Sequence, residues 1–216
     1  SYTHLSKGSD YDNKIKEIIE NDENHPVKYA FDIPVIEVDY MFKGPKNYST
    51  PKLRIIPETV YNNVSKALYN QKPISLSNNN ALAIQPLFTD HSDSDYKNLD
   101  INLDIKGTNY NFNLDGMVTG RILTWDNPDF FIIIKDDIFN EIKKSINPLV
   151  FKAYEVSDKN NTKSTSAILK SLNSTDTNIF ASSKDNSQIF TYYEVYKKNL
   201  DESSLILFVV SFLGCV

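Results

Sequence analysis

Hydrophobic and polar positions change period several times along this chain, and each change marks an expected element. Ile15, Ile18 and Ile19 fall on one helical face, which predicts a helix capped by Ser9 or Asp10, running to about Glu23 and ended by His25-Pro26. Over residues 33–42 the period becomes two. Val35, Glu37, Asp39 and Met41 alternate there with Ile36, Val38, Tyr40 and Phe42, as in a half-buried strand. Gly44-Pro45 closes that strand, and a loop to Pro51 carries Lys43, Lys46 and Lys52. A short strand over 53–56 leads to Pro57, which opens a helix to about Asn70 with Val60, Val64, Ala67 and Leu68 inward.

Residues 78–80, all asparagine, read as a loop, 82–87 as a buried strand and 89–96 as a polar, exposed segment. Residues 99–106 and 109–114 alternate on either side of Gly107-Thr108, which predicts a hairpin. A third strand is expected over 116–123 and a fourth over 130–134. The fourth is five apolar residues in a row and should be central, covered on both faces. Asp136 is expected to cap a short helix to Ile146, broken at Pro148, and 149–156 reads as a further strand. Beyond it the pattern predicts a loop over 158–162, a helix from Thr162 or Ser164 carrying Ile168, Leu169 and Leu172, and a short strand over 179–181.

Strands and helices do not alternate as βαβ winding requires. The expected fold class is therefore α+β, a mainly antiparallel sheet with flanking helices, ending in a long helix that enters the membrane. That last element comes from Ile189, Tyr193, Tyr196 and Leu200, which recur at i, i+4, i+7 and i+11 with no breaker before Leu205. The run Leu205-Ile206-Leu207-Phe208-Val209-Val210-Ser211-Phe212-Leu213-Gly214-Cys215-Val216 is uncharged and the most hydrophobic of the sequence. At ~1.5 Å per residue it covers roughly 18 Å, short of the ~30 Å of a bilayer core. It is expected to be the start of a truncated transmembrane helix, following a water-facing domain over 1–204 in which 97–135 forms a sub-lobe. Tyr192, Lys197 and Lys198 are the expected membrane-interface residues.

Composition supports a folded body. Of 216 residues, 40% are hydrophobic, 24% charged and 12% aromatic, far from the balance of disordered chains. A net charge of −5 and a pI of about 5.2 disfavour nucleic acid and favour cationic partners. Arg54 and Arg121 are the only arginines, while Lys, Asn, Ile and Tyr are abundant, as in AT-rich genomes. Sequons at Asn47, Asn63, Asn160 and Asn173 would carry glycans only in a eukaryotic secretory protein. The sole cysteine, Cys215, lies in the apolar run, which leaves the rest without disulfide, thiolate nucleophile or cysteine metal site. Residues 1–8 hold no signal-peptide core, and Ser1 reads as an excision boundary.

Catalytic chemistry has little to stand on. His4, His25 and His91 show no metal-binding spacing, and neither a nucleophile elbow nor a phosphate-cradling loop occurs. In Asp90-His91-Ser92-Asp93-Ser94-Asp95 the sixth and twelfth positions of a calcium loop, counted from Asp90, hold Asp95 and Ile101 rather than Gly and Glu. Counted from Asp93 they hold Asn98 and Asp104, so a solvated loop is expected. Asp136-Asp137 is accounted for by the start of a helix. Neither catalytic residue, metal nor cofactor is expected. Ligand binding is assigned to Lys43, Lys46 and Lys52, which suit an anionic headgroup or pyrophosphate, to Asp93 and Asp95, and to Trp125 in the turn over 123–128.

The stretch Tyr193-Glu194-Val195-Tyr196-Lys197-Lys198-Asn199-Leu200-Asp201-Glu202-Ser203-Ser204, continued by the apolar run, resembles the lead into the eighth transmembrane helix of bacitracin-efflux-type (BceB/VraG-like) ABC transporter permeases of the FtsX-like group. About 200 residues before it, without cysteine and rich in Lys, Asn, Ile and Tyr, resemble the large extracellular domain those permeases place between their seventh and eighth helices. The resemblance implies a non-catalytic domain at the outer face of a Gram-positive cell membrane. It would engage cationic peptide antibiotics or their cell-wall lipid complexes and relay that state to the transmembrane helices. A cytoplasmic ATPase subunit and a sensor histidine kinase would be its partners. The family carries over no binding residue to residues 1–187. The competing expectations are the extracellular sensor domain of a membrane histidine kinase or chemoreceptor, and a surface hydrolase using two carboxylates.

Overall fold

The computed structural model describes residues 2–77, 79–86, 89–120, 122, 130–157 and 189–191. In chain order its elements are β1 (Tyr2–Leu5), α1 (Ser9–Glu20), β2 (Val27–Lys43), β3 (Ser49–Pro57), α2 (Glu58–Tyr69), β4 (Asn80–Ile84), α3 (Asp93–Tyr96), β5 (Leu99–Ile105), β6 (Thr108–Val118), β7 (Phe130–Ile134), α4 (Asp136–Lys143), β8 (Leu149–Val156) and β9 (Ile189–Thr191). The chain divides into two compact units. Unit 1 comprises Ser1–Ala30, Thr124–Asp126 and Lys152–Val216, and unit 2 comprises Phe31–Leu123 and Asn127–Phe151.

Unit 2 is built on a sheet in the order β5-β6-β4-β7-β3-β2. Antiparallel pairs join β2 to β3, β4 to β7 and β5 to β6. Parallel pairs join β3 to β7 and β4 to β6, so the expected α+β fold holds a sheet that is mostly antiparallel with two parallel pairs mixed in. The physical reason is that β3 and β7 each run straight into a helix, α2 and α4, and lie side by side with Pro57 opposite Ile134. The apolar run of β7 occupies the expected central place between β4 and β3. Phe130, Ile132 and Ile134 join Leu53, Ile55, Ala83, Ile101 and Leu114 in one core, closed by Phe139 and Ile142 of α4. Each such Leu, Ile or Phe side chain contributes about 1.5–3 kcal/mol by leaving water.

Several local expectations move. The hairpin turns on Lys106-Gly107, one residue earlier than expected, with φ of 50° and 84°. Residues 116–118 continue β6 instead of starting a third strand, because the chain passes a bulge at Gly116 (φ 139°) and keeps pairing with β4. The loop expected to Pro51 is shorter, a single turn at Pro45–Asn47, so Lys52 lies within β3 opposite Asp39. Pro57 ends β3 and precedes the first helical residue of α2, and Tyr61 and Ser65 share its buried face with Val64. β4 begins at Asn80, where a loop was expected, and ends at Ile84. α4 stops at Lys143.

In unit 1 the strand order is β2-β8-β1-β9, counting the unit 1 part of β2 and β8. Ile15 and Ile19 of α1 pack with Tyr2, Tyr154 and Val156. The helix ends at Glu20, and its N-cap is Gly8 rather than Ser9 or Asp10. Gly8 supplies a φ of 114° that places Ser9 already inside the helix. Ile189–Thr191, expected as the first turn of the terminal helix, forms β9 and pairs antiparallel with β1, Tyr2 opposite Thr191. Ile189, Phe190 and Thr191 are good strand formers, and the backbone of β1 offers them a ladder that a helix would forgo. Among the described residues no helix is long and apolar enough to cross a membrane. The expected helices over 162–172 and beyond 191, the strand over 179–181 and the apolar run lie outside the described residues.

Candidate ligand-engaging surface

Of the expected ligand residues, the structure brings Lys46 and Asp95 together. Lys46 sits in the turn between β2 and β3 with a φ of 51°, next to Asn47 at 63°. From there its Nζ donates to the Asp90 carbonyl at 3.0 Å and lies 3.2 Å from the Asp90 carboxylate and 3.9 Å from that of Asp95. Asp95 is tied to Ser92 in a capping box, accepting from the Ser92 N–H at 2.7 Å and its hydroxyl at 2.8 Å. Asp93 accepts from the Met117 N–H at 2.8 Å and meets Lys97 at 2.8 Å.

These contacts hold three carboxyls below the ordinary range. For Asp90 the main cause is the Lys46 hydrogen bond, for Asp93 the Lys97 hydrogen bond, and for Asp95 the Ser92 N–H. All three contacts favour the ionised form. The Asp90 side chain is 86% exposed and offers its charge to solvent.

The segment expected to be exposed throughout is instead anchored. His91 and Tyr96 are buried, with His91 Nδ1 2.6 Å from the Tyr96 hydroxyl. Tyr48 lies edge-on to His91, while Tyr96 and Phe42 stack on Phe130. Burial pushes the Tyr96 hydroxyl well above its usual value. Two aromatic residues five positions apart pull the polar loop inward and leave its aspartates outside.

Lys43, Lys46 and Lys52 do not form the expected cationic cluster. Lys43 ends β2 opposite Ser49, and Lys46 faces aspartates. Lys52 hydrogen-bonds Glu37, whose other oxygen lies 2.9 Å from Arg54 Nη2 and accepts from Arg54 Nε at 3.1 Å. Burial raises the Glu37 carboxyl, but the Lys52 hydrogen bond and the Arg54 and Lys52 charges outweigh it and hold it below the ordinary value. The Lys52 ammonium is raised by the Glu37 hydrogen bond. An anionic headgroup would have to displace these carboxylates. Trp125, Tyr192, Lys197 and Lys198 lie outside the described residues.

Two arrangements were not anticipated from sequence. In unit 1 the Asp12 carboxylate accepts from Ser6 Oγ, lies 3.3 Å from His4 Nε2 and accepts from the Lys7 N–H at 3.4 Å. In that order the carboxylate, not the imidazole, holds the serine, so the trio secures the start of α1 and does not build an activated nucleophile. In unit 2 the outward positions of the β5–β6 hairpin are all Asn or Asp: Asp100, Asn102 and Asp104 face Asn113, Asn111 and Asn109, and Asp115 follows. Asp and Asn are depleted in strands. The alternation that predicted the hairpin carried this signal in its polar half. Among the described residues, no three His, Cys, Asp or Glu gather as a metal ion would require. The surface is thus rich in fixed anions and amides, suited to cationic and hydrogen-bonding ligands.

Neither a protein-family model nor a curated protein matches the chain. Among solved structures, a lipoprotein candidate from Bacillus anthracis aligns with a TM-score of 0.43 and 10% identity, over 78% of this chain and 90% of that one. The extracellular domain of the noncanonic ABC-type transporter YknZ from Gram-positive bacteria aligns with a TM-score of 0.31 and 13% identity, over 88% of this chain and 100% of that one.

Proposed function

We propose that this chain is the extracellular sensing domain of an antimicrobial-peptide resistance ABC transporter permease. It engages cationic peptide antibiotics or their cell-wall lipid complexes and relays that state to transmembrane helices and a partner histidine kinase. ATP hydrolysis belongs to a separate cytoplasmic subunit. The observation that carries this reading is in the sequence: a Tyr- and Lys-bearing segment over 192–204 that passes into the uncharged run 205–216. The surface chemistry is compatible with a cationic ligand, since Asp90, Asp93 and Asp95 lie along one short segment, where such a ligand would take over from Lys46 and Lys97 as their partner.

The test uses the full chain reconstituted in phosphatidylcholine vesicles, titrated with peptide antibiotics free and complexed to undecaprenyl pyrophosphate. Saturable binding that weakens as salt rises is expected. Absence of binding across both free and lipid-bound peptides would overturn the reading.

A further inference from the structure

We infer that β5 is a docking edge for an extended cationic peptide, which adds to the sheet of unit 2 as a further strand. This deepens the proposed function and rests on it only for the cationic character of the ligand. Among the described residues β5 ends the strand order of that sheet. In a two-residue hairpin the pair flanking the turn is hydrogen-bonded, here Ile105 and Thr108. By alternation Ile101, Leu103 and Ile105 exchange bonds with β6. Asp100, Asn102 and Asp104 therefore aim N–H and C=O away from it.

Edges of this kind are normally blunted by proline, lysine, a bulge or extreme shortness. β5 runs seven residues, Leu99–Ile105, without Pro or Lys and pairs with β6 without a register shift, and the charges it carries, Asp100 and Asp104, are acidic, which repels a like edge and admits a cationic strand. Its outward side chains select the occupant. Asp100 and Asp104 lie on the solvent face two positions either side of each other's midpoint, Asn102, and Asp115 extends the same face on β6. Neither Lys nor Arg stands among the seven outward positions of the hairpin, Asp100, Asn102, Asp104, Asn109, Asn111, Asn113 and Asp115. Asp100 accepts from Asn113 Nδ2 at 2.9 Å and Asp104 from the Gly107 N–H at 2.8 Å, which leaves each carboxylate further acceptor capacity. A strand with Lys or Arg at every second position places those cations over Asp100 and Asp104, while its backbone closes the open ladder.

The probe is a linear, end-blocked decapeptide of alternating Lys and Val, titrated by calorimetry against the full chain. Its partners are the same peptide N-methylated on one edge, which keeps the charge and removes the donors, and a version with Glu in place of Lys. Asn102→Pro removes an outward N–H and leaves the β6 ladder intact. Asp100→Asn with Asp104→Asn removes the charges. Binding of the Lys-Val peptide is expected, weakened about tenfold or more by N-methylation and by Asn102→Pro, with no binding of the Glu version. The double Asp variant should bind more weakly and with a shallower salt dependence.

Equal affinity of the N-methylated peptide, or no binding of the Lys-Val peptide, overturns strand addition. Should Asn102→Pro fail to fold, the N-methylated peptide and the double Asp variant still decide. Cyclic peptide antibiotics that bind wild type and both variants equally would sink this inference and leave the proposed function standing. Failure of every peptide would remove both.

Discussion

Asp136 opens α4, yet its carboxylate serves α2: Oδ1 accepts the Thr59 backbone N–H at 3.2 Å and Oδ2 the Thr59 hydroxyl. The parallel register of β3 and β7 makes this possible, because it brings the first turns of the two helices together. A capping residue that belongs to another element ties two helices and two strands into one unit. Replacing Asp136 with Ala should cost about 0.5–2 kcal/mol in urea unfolding, as for other lost N-caps. The exposed neighbour Asp137, by contrast, should be replaceable within about 0.5 kcal/mol. Equal effects at the two positions would remove the capping assignment.

Gly116 is a second such hinge between elements. Its φ of 139° suits glycine alone, and a Cβ there would meet Asp93 Oδ1 at 2.1 Å. The absent side chain is what lets Asp93 reach the Met117 N–H. Gly116→Ala should destabilise the protein by about 1–3 kcal/mol or more through backbone strain and collision. Adding Asp93→Ala should recover part of that loss, since it removes the collision and not the strain, and a double-mutant cycle in denaturant measures the coupling. Strict additivity of the two substitutions would contradict the close approach.

Glu37 sets a pH dependence. Its carboxyl is depressed in the folded protein, so it contributes stability above its unfolded pKa and loses that contribution as pH falls through its folded value. Wild type should therefore exceed Glu37→Gln most clearly at neutral pH, with the gap narrowing as the solution is acidified toward about pH 3. Urea midpoints across that range provide the check. A gap that stayed constant or widened in acid would show that Lys52 and Arg54 do not hold the carboxylate charged.

What the sequence disclosed follows from the range of the forces involved. The run at β7, the alternation of β5 and β6 and the strand β8 were legible because burial on one or both faces writes itself into consecutive residues. Residues 149–156 were read with the bounds that β8 shows. Pairing was not legible, since nothing in β3 or β7 alone announces that they lie parallel. The site fared likewise. Lys46 and Asp95 were singled out separately as charges on loops, but their contact joins residues 49 positions apart through the fold. Lys52 was misplaced because Pro51 was read as a loop boundary, whereas it lies within β3, where Thr50 is buried and Lys52 pairs across to Asp39. His91 was hidden in a run of aspartates, and only its distance from Tyr96 marked it as a core residue.

The passage of β2 and β8 through the unit boundary, at Ala30/Phe31 and Phe151/Lys152, makes unit 2 an insertion within unit 1. During synthesis β1 and α1 are made well before their neighbour β8, which follows after roughly 130 further residues, on the order of ten seconds at ~5–20 residues per second. Nearly all of unit 2, up to the first residues of β8, is made in that interval. Until Tyr154 and Val156 follow, Tyr2, Ile15 and Ile19 lack their core partners, so residues made before unit 2 find their place only after it.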